Sequence, residues 1–231
     1  MDVSGELLNM MEQFVFTPSI KTIDCVAGIA PISAFALEPS IFSGTPDFVH
    51  HHGGPISKKI TNSILDYINK LPEYYPTIDI RVQRLMPGMW PSIPGWHCDD
   101  FFRRDYSSQP DLHKPDSKVE HYTCIVSSEP NVSRTEWIDA PLMAHIDLDD
   151  EIVPVWRQLH REVEQQPSIK RSVLYEGQIV HFNQQAIHRA SKCYRRGHRL
   201  FYRLSMRPRP SLGGMITTQQ QVYIQSEESG W

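Results

Sequence analysis

The stretch HRASKCYRRGHRLFYRLSMRPRP, residues 188–210, decides how the rest of the chain is read. Its second half predicts a β-strand over residues 199–206, because polar and apolar side chains alternate there as they do on the two faces of a sheet. One face carries Arg199, Phe201, Arg203 and Ser205, and the other carries Leu200, Tyr202, Leu204 and Met206. We expect the apolar face to pack against helices or an outer layer, and the polar face to point into the interior of the fold.

The same stretch concentrates positive charge in an acidic protein. Residues 189–209 contain eight Lys and Arg residues and no Asp or Glu, although the whole chain has a formal net charge of −4. A local positive field of this kind favours an anionic ligand over general coating of nucleic acid. We interpret the arginines that flank the strand as a solvated rim; they are Arg195, Arg196, Arg207 and Arg209.

Periodicity along the rest of the chain predicts a mainly β protein with flanking helices. Helices are predicted over residues 5–15, 57–71 and 152–163, from apolar side chains at helical spacing. Strands are predicted over residues 22–37, 77–85, 118–127, 134–138, 172–182 with a break at Glu176-Gly177, 199–206 and 222–226. Residues 101–116 are polar and contain prolines, so a loop is expected there. Early helices followed by many short strands indicate a sandwich or barrel-like sheet with helices packed outside it.

Length and composition indicate a single soluble domain. The chain has 231 residues, of which 40% are hydrophobic and 22% charged, which is ordinary for a globular protein. No apolar run reaches the length of a membrane span, and the first residues lack the basic region of a secretory signal. The four cysteines are scattered and form no C-x-x-C pair. We therefore expect a reduced, cytoplasmic protein without a membrane partner.

Two H-x-D pairs are candidate metal ligands, because side chains two residues apart on a strand share one face. His97 and Asp99 follow a predicted strand and a Gly- and Pro-rich turn, PGMWPSIPGWHCDD, a position suited to the mouth of a sheet. His145 and Asp147 lie just before the predicted helix at residue 152. If they were the ligands, the chain between that helix and a distal ligand at His188 would be too short for the intervening strands of a closed sheet. We favour His97 and Asp99.

A second histidine must come from elsewhere in the chain, because two His and one carboxylate form the donor set of mononuclear non-haem Fe(II) sites. His181 lies inside the apolar strand QIVHF, where a buried structural histidine is the alternative interpretation. His188 follows a strand and a polar turn, FNQQAIHRAS, from which a ligand can project into a cavity, and we favour it. The run VHHHGG at residues 49–54 is interpreted as a loop, because three adjacent histidines cannot all face one ion on regular structure.

Four segments resemble, in order, the motifs of the Fe(II)/2-oxoglutarate-dependent oxygenase superfamily. They are RVQRLMPGMWPSIPGWHCDD, YTCIVSSEPNVSRTEWI, LYEGQIVHFNQQAIHRA and GHRLFYRLS, and together they cover about residues 77–207. The resemblance implies a double-stranded β-helix, the jelly-roll or cupin-like barrel. It also implies one oxygenase domain over residues 1–231, with supporting helices and strands in residues 1–76, the core in about 77–207 and a last strand in 208–231.

The resemblance also implies a site and a reaction. His97, Asp99 and His188 are expected to bind Fe(II), and Arg199 to pair with the far carboxylate of 2-oxoglutarate, because it opens its strand just after a glycine. Arg203 also qualifies by its spacing and is kept as a second cosubstrate-binding residue. The implied reaction uses O₂ to hydroxylate a small-molecule or amino-acid-like substrate, with release of succinate and CO₂.

Two other functions stay open at this point. The first is an oxygenase that acts on a nucleic-acid base or a protein side chain, which the basic cluster favours and the acidic remainder of the chain disfavours. The second is a cupin-like module that binds a metal without catalysis.

Overall fold

The computed structural model describes residues 11–68, 74–104, 108–150, 152–211, 213–218 and 222–224. The strands in chain order are β1 (Glu12–Phe16), β2 (Ile20–Cys25), β3 (Ser40–Gly44), β4 (Tyr75–Leu85), β5 (Glu120–Ser127), β6 (Thr135–Ile138), β7 (Leu142–Ile146), β8 (Arg171–Leu174), β9 (Gln178–Asn183), β10 (His188–Ala190), β11 (Gly197–Arg207) and β12 (Met215–Thr217). The helices are α1 (Ile32–Phe35), α2 (Pro46–His52), α3 (Pro55–Ile68) and α4 (Val155–Glu164).

The strands form antiparallel sheets around one large central sheet. Seven strands lie in the order β12-β3-β4-β11-β5-β9-β2, three in the order β10-β6-β8, and β1 pairs with β7. Strand β11 lies in the middle of the large sheet, hydrogen-bonded to β4 on one edge and to β5 on the other. The described residues therefore form a mainly β fold with few helices, as the sequence predicts.

The apolar face of β11 packs against a helix, as expected. Its side chains lie in one buried cluster with residues of α3; the members from the two elements are Leu200, Tyr202, Leu204, Met206, Ile60 and Ile64. The Tyr202 hydroxyl is 2.8 Å from Thr61 Oγ1, so this buried polar group has a partner. The amphipathic helix predicted over residues 57–71 thus covers the sheet, although residues 69–71 lie outside the described ranges.

The opposite face of the large sheet packs against the three-stranded sheet. Phe182 on β9 and Trp137 on β6 belong to one buried cluster, and their rings meet edge to face with centroids 4.6 Å apart. Two antiparallel sheets that bury aromatic side chains between them are typical of a β-sandwich. The polar side chains of β11 face this layer, because they alternate with the residues buried under α3.

The helix predicted over residues 5–15 is wrong where it can be compared. Residues 5–10 lie outside the described ranges, and Glu12–Phe16 is strand β1, paired antiparallel with β7. Phe16 is buried, whereas its neighbour Val15 is 52% exposed, as expected for alternating faces of a strand. Pairing with a partner distant in sequence outweighs the helical spacing of a few apolar residues.

Two further predictions are corrected in the N-terminal third. Residues 22–37 do not continue as strands, because Pro31 precedes the short helix α1, which buries Phe35. The run VHHHGG is not a loop, since its histidines form the exposed last turn of α2. The start of that helix has a sequence signal that we missed: Thr45 Oγ1 accepts a hydrogen bond from Phe48 N at 3.1 Å, and Pro46 occupies the first helical position.

At the C-terminal end, the predicted strand over residues 222–226 is reduced to one bridge, in which Tyr223 pairs with Trp90. Residues 225 and 226 lie outside the described ranges. No helix in the described part of the chain is both long and apolar enough to cross a membrane.

Truncation of Leu204 tests the core beneath α3. Leu204 is fully buried, so Leu204→Ala leaves a cavity, and we expect the free energy of unfolding to fall by about 2–5 kcal/mol. Leu37→Ala is the matched control, because Leu37 is 64% exposed and its truncation should change stability by less than about 0.5 kcal/mol. Urea unfolding of the two variants measures both values, and equal losses would contradict this core.

Candidate metal centre

Two histidines distant in sequence are joined through their backbones. His97 N donates to His188 O at 3.0 Å, and His188 N donates to His97 O at 2.9 Å. This isolated antiparallel bridge attaches the loop that follows β4 to the first residue of β10. It brings the two imidazole rings to a centroid distance of 4.6 Å.

Each imidazole is oriented by a carbonyl two residues earlier in the chain. His97 Nδ1 lies 3.1 Å from Gly95 O, and His188 Nδ1 lies 2.9 Å from Ala186 O. A carbonyl oxygen only accepts hydrogen bonds, so both Nδ1 atoms carry a proton, and a neutral imidazole held in this way presents its lone pair at Nε2. Gly95 has a φ of 108°, a conformation that favours glycine and that places its carbonyl against His97.

The Asp99 carboxylate completes the cluster. Its Oδ2 lies 3.2 Å from His188 Nε2, and its Oδ1 lies 4.0 Å from His97 Nε2. One donor atom from each of the three side chains lies within 4.8 Å of the others. In the described ranges no other group of three or more His, Cys, Asp or Glu side chains meets that criterion. Two imidazole nitrogens and one carboxylate oxygen are the ligands of non-haem Fe(II) centres with open coordination positions.

The surroundings of His97 and Asp99 keep these two donors deprotonated at neutral pH. Burial and, to a smaller extent, the neighbouring His188 lower the pKa of His97 to about 4. Burial opposes ionisation of Asp99, but Arg203 and His188 outweigh that effect and hold its pKa well below the usual value. No proton has to be displaced from either side chain before a cation binds.

Arg203 contacts a carboxylate at both ends of its guanidinium. Nη1 lies 2.5 Å from Asp99 Oδ2, and Nη2 lies 3.1 Å from Asp79 Oδ2 on the neighbouring strand. Burial disfavours this cation, but the two carboxylates outweigh burial and raise its pKa above the ordinary value. The expectation was an arginine available to a cosubstrate. In the structure both Nη atoms contact carboxylates of the protein, and the contact with Asp99 orients that carboxylate.

Arg199 lies in a different environment on the same face of β11. This residue is 3% exposed. It lines a cavity of about 250 Å³, here called the main cavity, together with His97, Asp99 and His188. Its Nε has no hydrogen-bond partner, and the guanidinium forms no ion pair with any described residue. Burial, and then repulsion from Arg81, lower its pKa to about 9.

Arg81 is a cavity residue that the sequence reasoning missed. It lies opposite Phe201 in the pairing of β4 with β11, and it also lines the main cavity. The alternation of β4 contained the signal: Ile78, Ile80 and Val82 pack in the core on one face, so Asp79 and Arg81 lie on the other. Both residues of that second face contribute to the site.

The alternative histidines lie outside the cluster. His145 on β7 is exposed, with Nδ1 3.8 Å from Glu162 Oε2. The His181 ring stacks on Tyr122 with centroids 4.8 Å apart, and its Nε2 lies 3.4 Å from Glu120 Oε2. Neither histidine belongs to the group of donor atoms around Asp99.

The stability of the metal-free protein should fall as the pH drops from about 6.5 towards 4. Burial lowers the pKa of both His97 and His121 to about 4, so the unfolded chain binds two protons in this window that the folded chain does not. Each histidine then contributes a loss of up to ~1.4 kcal/mol per pH unit. Urea unfolding at a series of pH values measures the slope.

The control for this slope replaces one histidine at a time. His121→Phe removes one titrating group and keeps a ring against Phe182, which stacks on His121 at 4.8 Å, so the slope should become shallower. His113→Phe changes an exposed histidine and should leave the slope as it is. The same slope in both variants would contradict the assignment.

Comparison of the sequence with known protein families and with curated proteins found no match. Among solved structures, the crystal structure of HygX from Streptomyces hygroscopicus with iron bound is similar over 90% of this chain and 86% of the HygX chain. The identity is 10% and the TM-score is 0.35, and a likeness of that strength carries no argument about this chain. The case for a metal centre therefore depends on the geometry of its own residues.

Proposed function

We propose that this protein is an Fe(II)- and 2-oxoglutarate-dependent dioxygenase that hydroxylates a small-molecule or amino-acid-like substrate, with release of succinate and CO₂. One observation carries the proposal: the His97, Asp99 and His188 donors line the same cavity as a buried arginine that forms no ion pair with the described residues. The three donors would bind a metal ion that keeps open coordination positions. An anionic cosubstrate that chelates this ion would pair with the buried arginine.

The donor set fits Fe(II) better than a structural zinc ion. Three ligands on one side of a cavity leave further positions open, whereas structural zinc is enclosed by four, usually with cysteine. The two Nδ1 hydrogen bonds to Gly95 O and Ala186 O are the outer contacts that orient metal-binding imidazoles. The site is therefore built to hold its ligands in one geometry.

The arginine fits the far carboxylate of 2-oxoglutarate. Burial of a guanidinium without an anion costs free energy, and a carboxylate that accepts two parallel hydrogen bonds from it would offset that cost. Arg81 adds a second positive charge beside Arg199, as the lowered pKa of Arg199 indicates. A cavity of about 250 Å³ suits a small dicarboxylate, since it can enclose the molecule and exclude much of its water.

When bound, iron and the cosubstrate would supply the oxidative decarboxylation and the hydroxylation of a C–H bond; the protein supplies position and environment. His97 and His188 direct their Nε2 lone pairs at the ion, and Arg203 fixes the Asp99 carboxylate. The Trp137 ring packs on His188 at a centroid distance of 4.7 Å, which restricts the imidazole and shields it from water. Arg199 would hold the cosubstrate in one orientation.

We also propose that the two facing sheets are the halves of a double-stranded β-helix. The large sheet contributes Arg199 and Arg203, and the three-stranded sheet contributes His188, so a site between the sheets draws residues from both. That placement supports the proposed barrel, because in such a fold the ligands lie in the space that the sheets enclose.

Removal of a ligand should abolish metal binding. We expect His188→Ala and Asp99→Ala to weaken Fe(II) binding by at least about a hundredfold, since the loss of an outer contact alone costs about 10–100-fold. Anaerobic protein with Fe(II) and 2-oxoglutarate should show a weak visible metal-to-ligand absorption band, which both variants lose together with succinate formation. His145→Ala, a histidine outside the cluster, is the matched control and should keep both signals. Normal signals in Asp99→Ala would rule out this site.

Replacement of Arg199 should weaken the binding of 2-oxoglutarate, whereas replacement of Arg203 should weaken the binding of Fe(II). Arg199→Gln removes the proposed carboxylate partner, so the Kd of 2-oxoglutarate should rise by about tenfold or more while Fe(II) still binds. Arg203→Gln removes the group that orients Asp99, so Fe(II) affinity itself should fall by about 10–100-fold. Titration of each variant, first with metal and then with 2-oxoglutarate, separates the effects. The reverse pattern would make Arg203 the partner of the cosubstrate.

A further inference from the structure

A second cavity, which we call the side cavity, opens beside the metal centre. It has a volume of about 340 Å³ and shares four lining residues with the main cavity: Cys98, Asp100, Arg103 and Trp156. Its remaining lining residues in the described ranges are Phe101, Arg104 and Arg209. The two cavities are therefore adjacent, and the side cavity lies next to the cavity that His97, Asp99 and His188 line.

The side cavity carries positive charge that its own acid does not neutralise. Asp100 lines it, but both carboxylate oxygens are held by Arg207, at 2.9 and 3.1 Å. Arg103 donates to the neutral carbonyl of Ser108 at 2.8 Å, and Arg104 and Arg209 form no ion pair with any residue that the structure describes. All three side chains are exposed, so water screens their mutual repulsion, and an anion between them would be attracted by all three.

Most of this charge is separate from the charge that the cosubstrate would meet, because Arg104 and Arg209 line only the side cavity, whereas Arg103 lines both cavities. Arg199 and Arg81 line the main cavity and do not line the side cavity. One dicarboxylate chelating the metal would present its free carboxylate to that pair. Among the described residues, the three arginines of the side cavity would then still have no carboxylate partner, and a second anionic molecule could bind there.

The wall beside these arginines is aromatic. Phe101 and Trp156 are 6% and 4% exposed, and their rings meet edge to face with centroids 5.9 Å apart. An apolar wall next to a cluster of guanidinium groups suits a molecule with an anionic end and an apolar or planar body. Cavities of this size accommodate a small molecule, and the acidic remainder of the chain disfavours a long polyanion.

We propose that the substrate is a small molecule with a carboxylate or phosphate group, held by Arg103, Arg104 and Arg209, with its apolar body against Trp156 and directed towards the metal. The reaction part of this inference rests on the proposed function. The anion site itself does not, because it needs neither the metal nor 2-oxoglutarate to bind.

The test compares matched anionic and neutral probes. Metal-free protein is titrated calorimetrically with benzoate against benzamide, and with phenyl phosphate against phenol. We expect at least one anion to bind about tenfold or more tightly than its neutral partner, as the loss of a charge-assisted contact predicts. Preference within the benzoate pair assigns a carboxylate, and preference within the phenyl phosphate pair assigns a phosphate.

Variants locate the anion. The double variant Arg103→Gln/Arg104→Gln should remove the preference for the anion, and Arg209→Gln should reduce it. Arg196→Gln is the matched control, because this exposed arginine lines a separate surface cavity with Arg84 and His198, and it should leave binding unchanged. Circular dichroism of each variant verifies the fold before titration.

Three results would overturn the inference. They are equal binding of the anionic and neutral probes, loss of anion binding in Arg199→Gln but not in the double variant, and tighter binding of a short single-stranded oligonucleotide than of either anion. The proposed function fails separately: anions that bind through Arg103 and Arg104, without any succinate formed on addition of Fe(II), 2-oxoglutarate and O₂, would leave the anion site valid and reject the dioxygenase. Succinate formation without any anion preference would reject the anion site alone.

Discussion

Strand β11 is paired on both edges, and the organisation of the site follows from that constraint. Because β4 and β5 take its backbone hydrogen bonds, each β11 side chain must point to one face of the sheet or the other. Leu200 and Leu204 are buried beneath α3, so Arg199 and Arg203 have to lie on the side of the second sheet. A pair of arginines is thereby placed in an interior layer, where each of them needs a negative partner.

The two arginines meet that need in different ways. Arg203 lies opposite Asp79 across the β4–β11 pairing, and its other end reaches Asp99. This ion-pair chain connects the large sheet to the loop that carries Asp99, while the backbone bridge from His97 to His188 connects the same loop to the three-stranded sheet. The loop is thus held from both layers, which a preorganised donor set requires. Arg199 has no such partner in the described residues, and its proposed role as the partner of an anionic cosubstrate rests on that contrast.

The side cavity extends this charge pattern away from the metal. Where an acidic residue lines it, as Asp100 does, the carboxylate is already bound by Arg207. Charge is therefore balanced around the donor atoms and unbalanced beside them. Fixed acid–arginine pairs connect the residues of the proposed metal centre, whereas Arg103, Arg104 and Arg209 form no ion pair with the described residues and are the proposed partners of a diffusible anion.

The local sequence pattern was sufficient to predict two elements that each bury one apolar face. The alternation of residues 199–206 and the amphipathic spacing of residues 57–71 predicted β11 and α3, because each has one face in the core. Pattern was insufficient at residues 12–16, where pairing with β7 produces a strand, and at residues 49–52, where the cap formed by Thr45 and Pro46 produces a helix. The ends of helices and strands depend on hydrogen bonds of a few atoms, and the spacing of apolar residues contains no information about those bonds.

The residue types, their order and their strand faces were determined by the sequence alone: two H-x-D pairs, a distal histidine and two inward arginines. Only the tertiary structure decided between them. The backbone bridge brings His97 beside His188, and the cross-strand position of Asp79 gives Arg203 an ion pair that Arg199 lacks among the described residues. Arg81, Arg103 and Arg104 were brought to the cavities by strand register and by a loop, which no local period encodes. The physical reason is that coordination and ion pairing depend on distances of a few ångströms between residues far apart in the chain, and packing of the two sheets sets those distances.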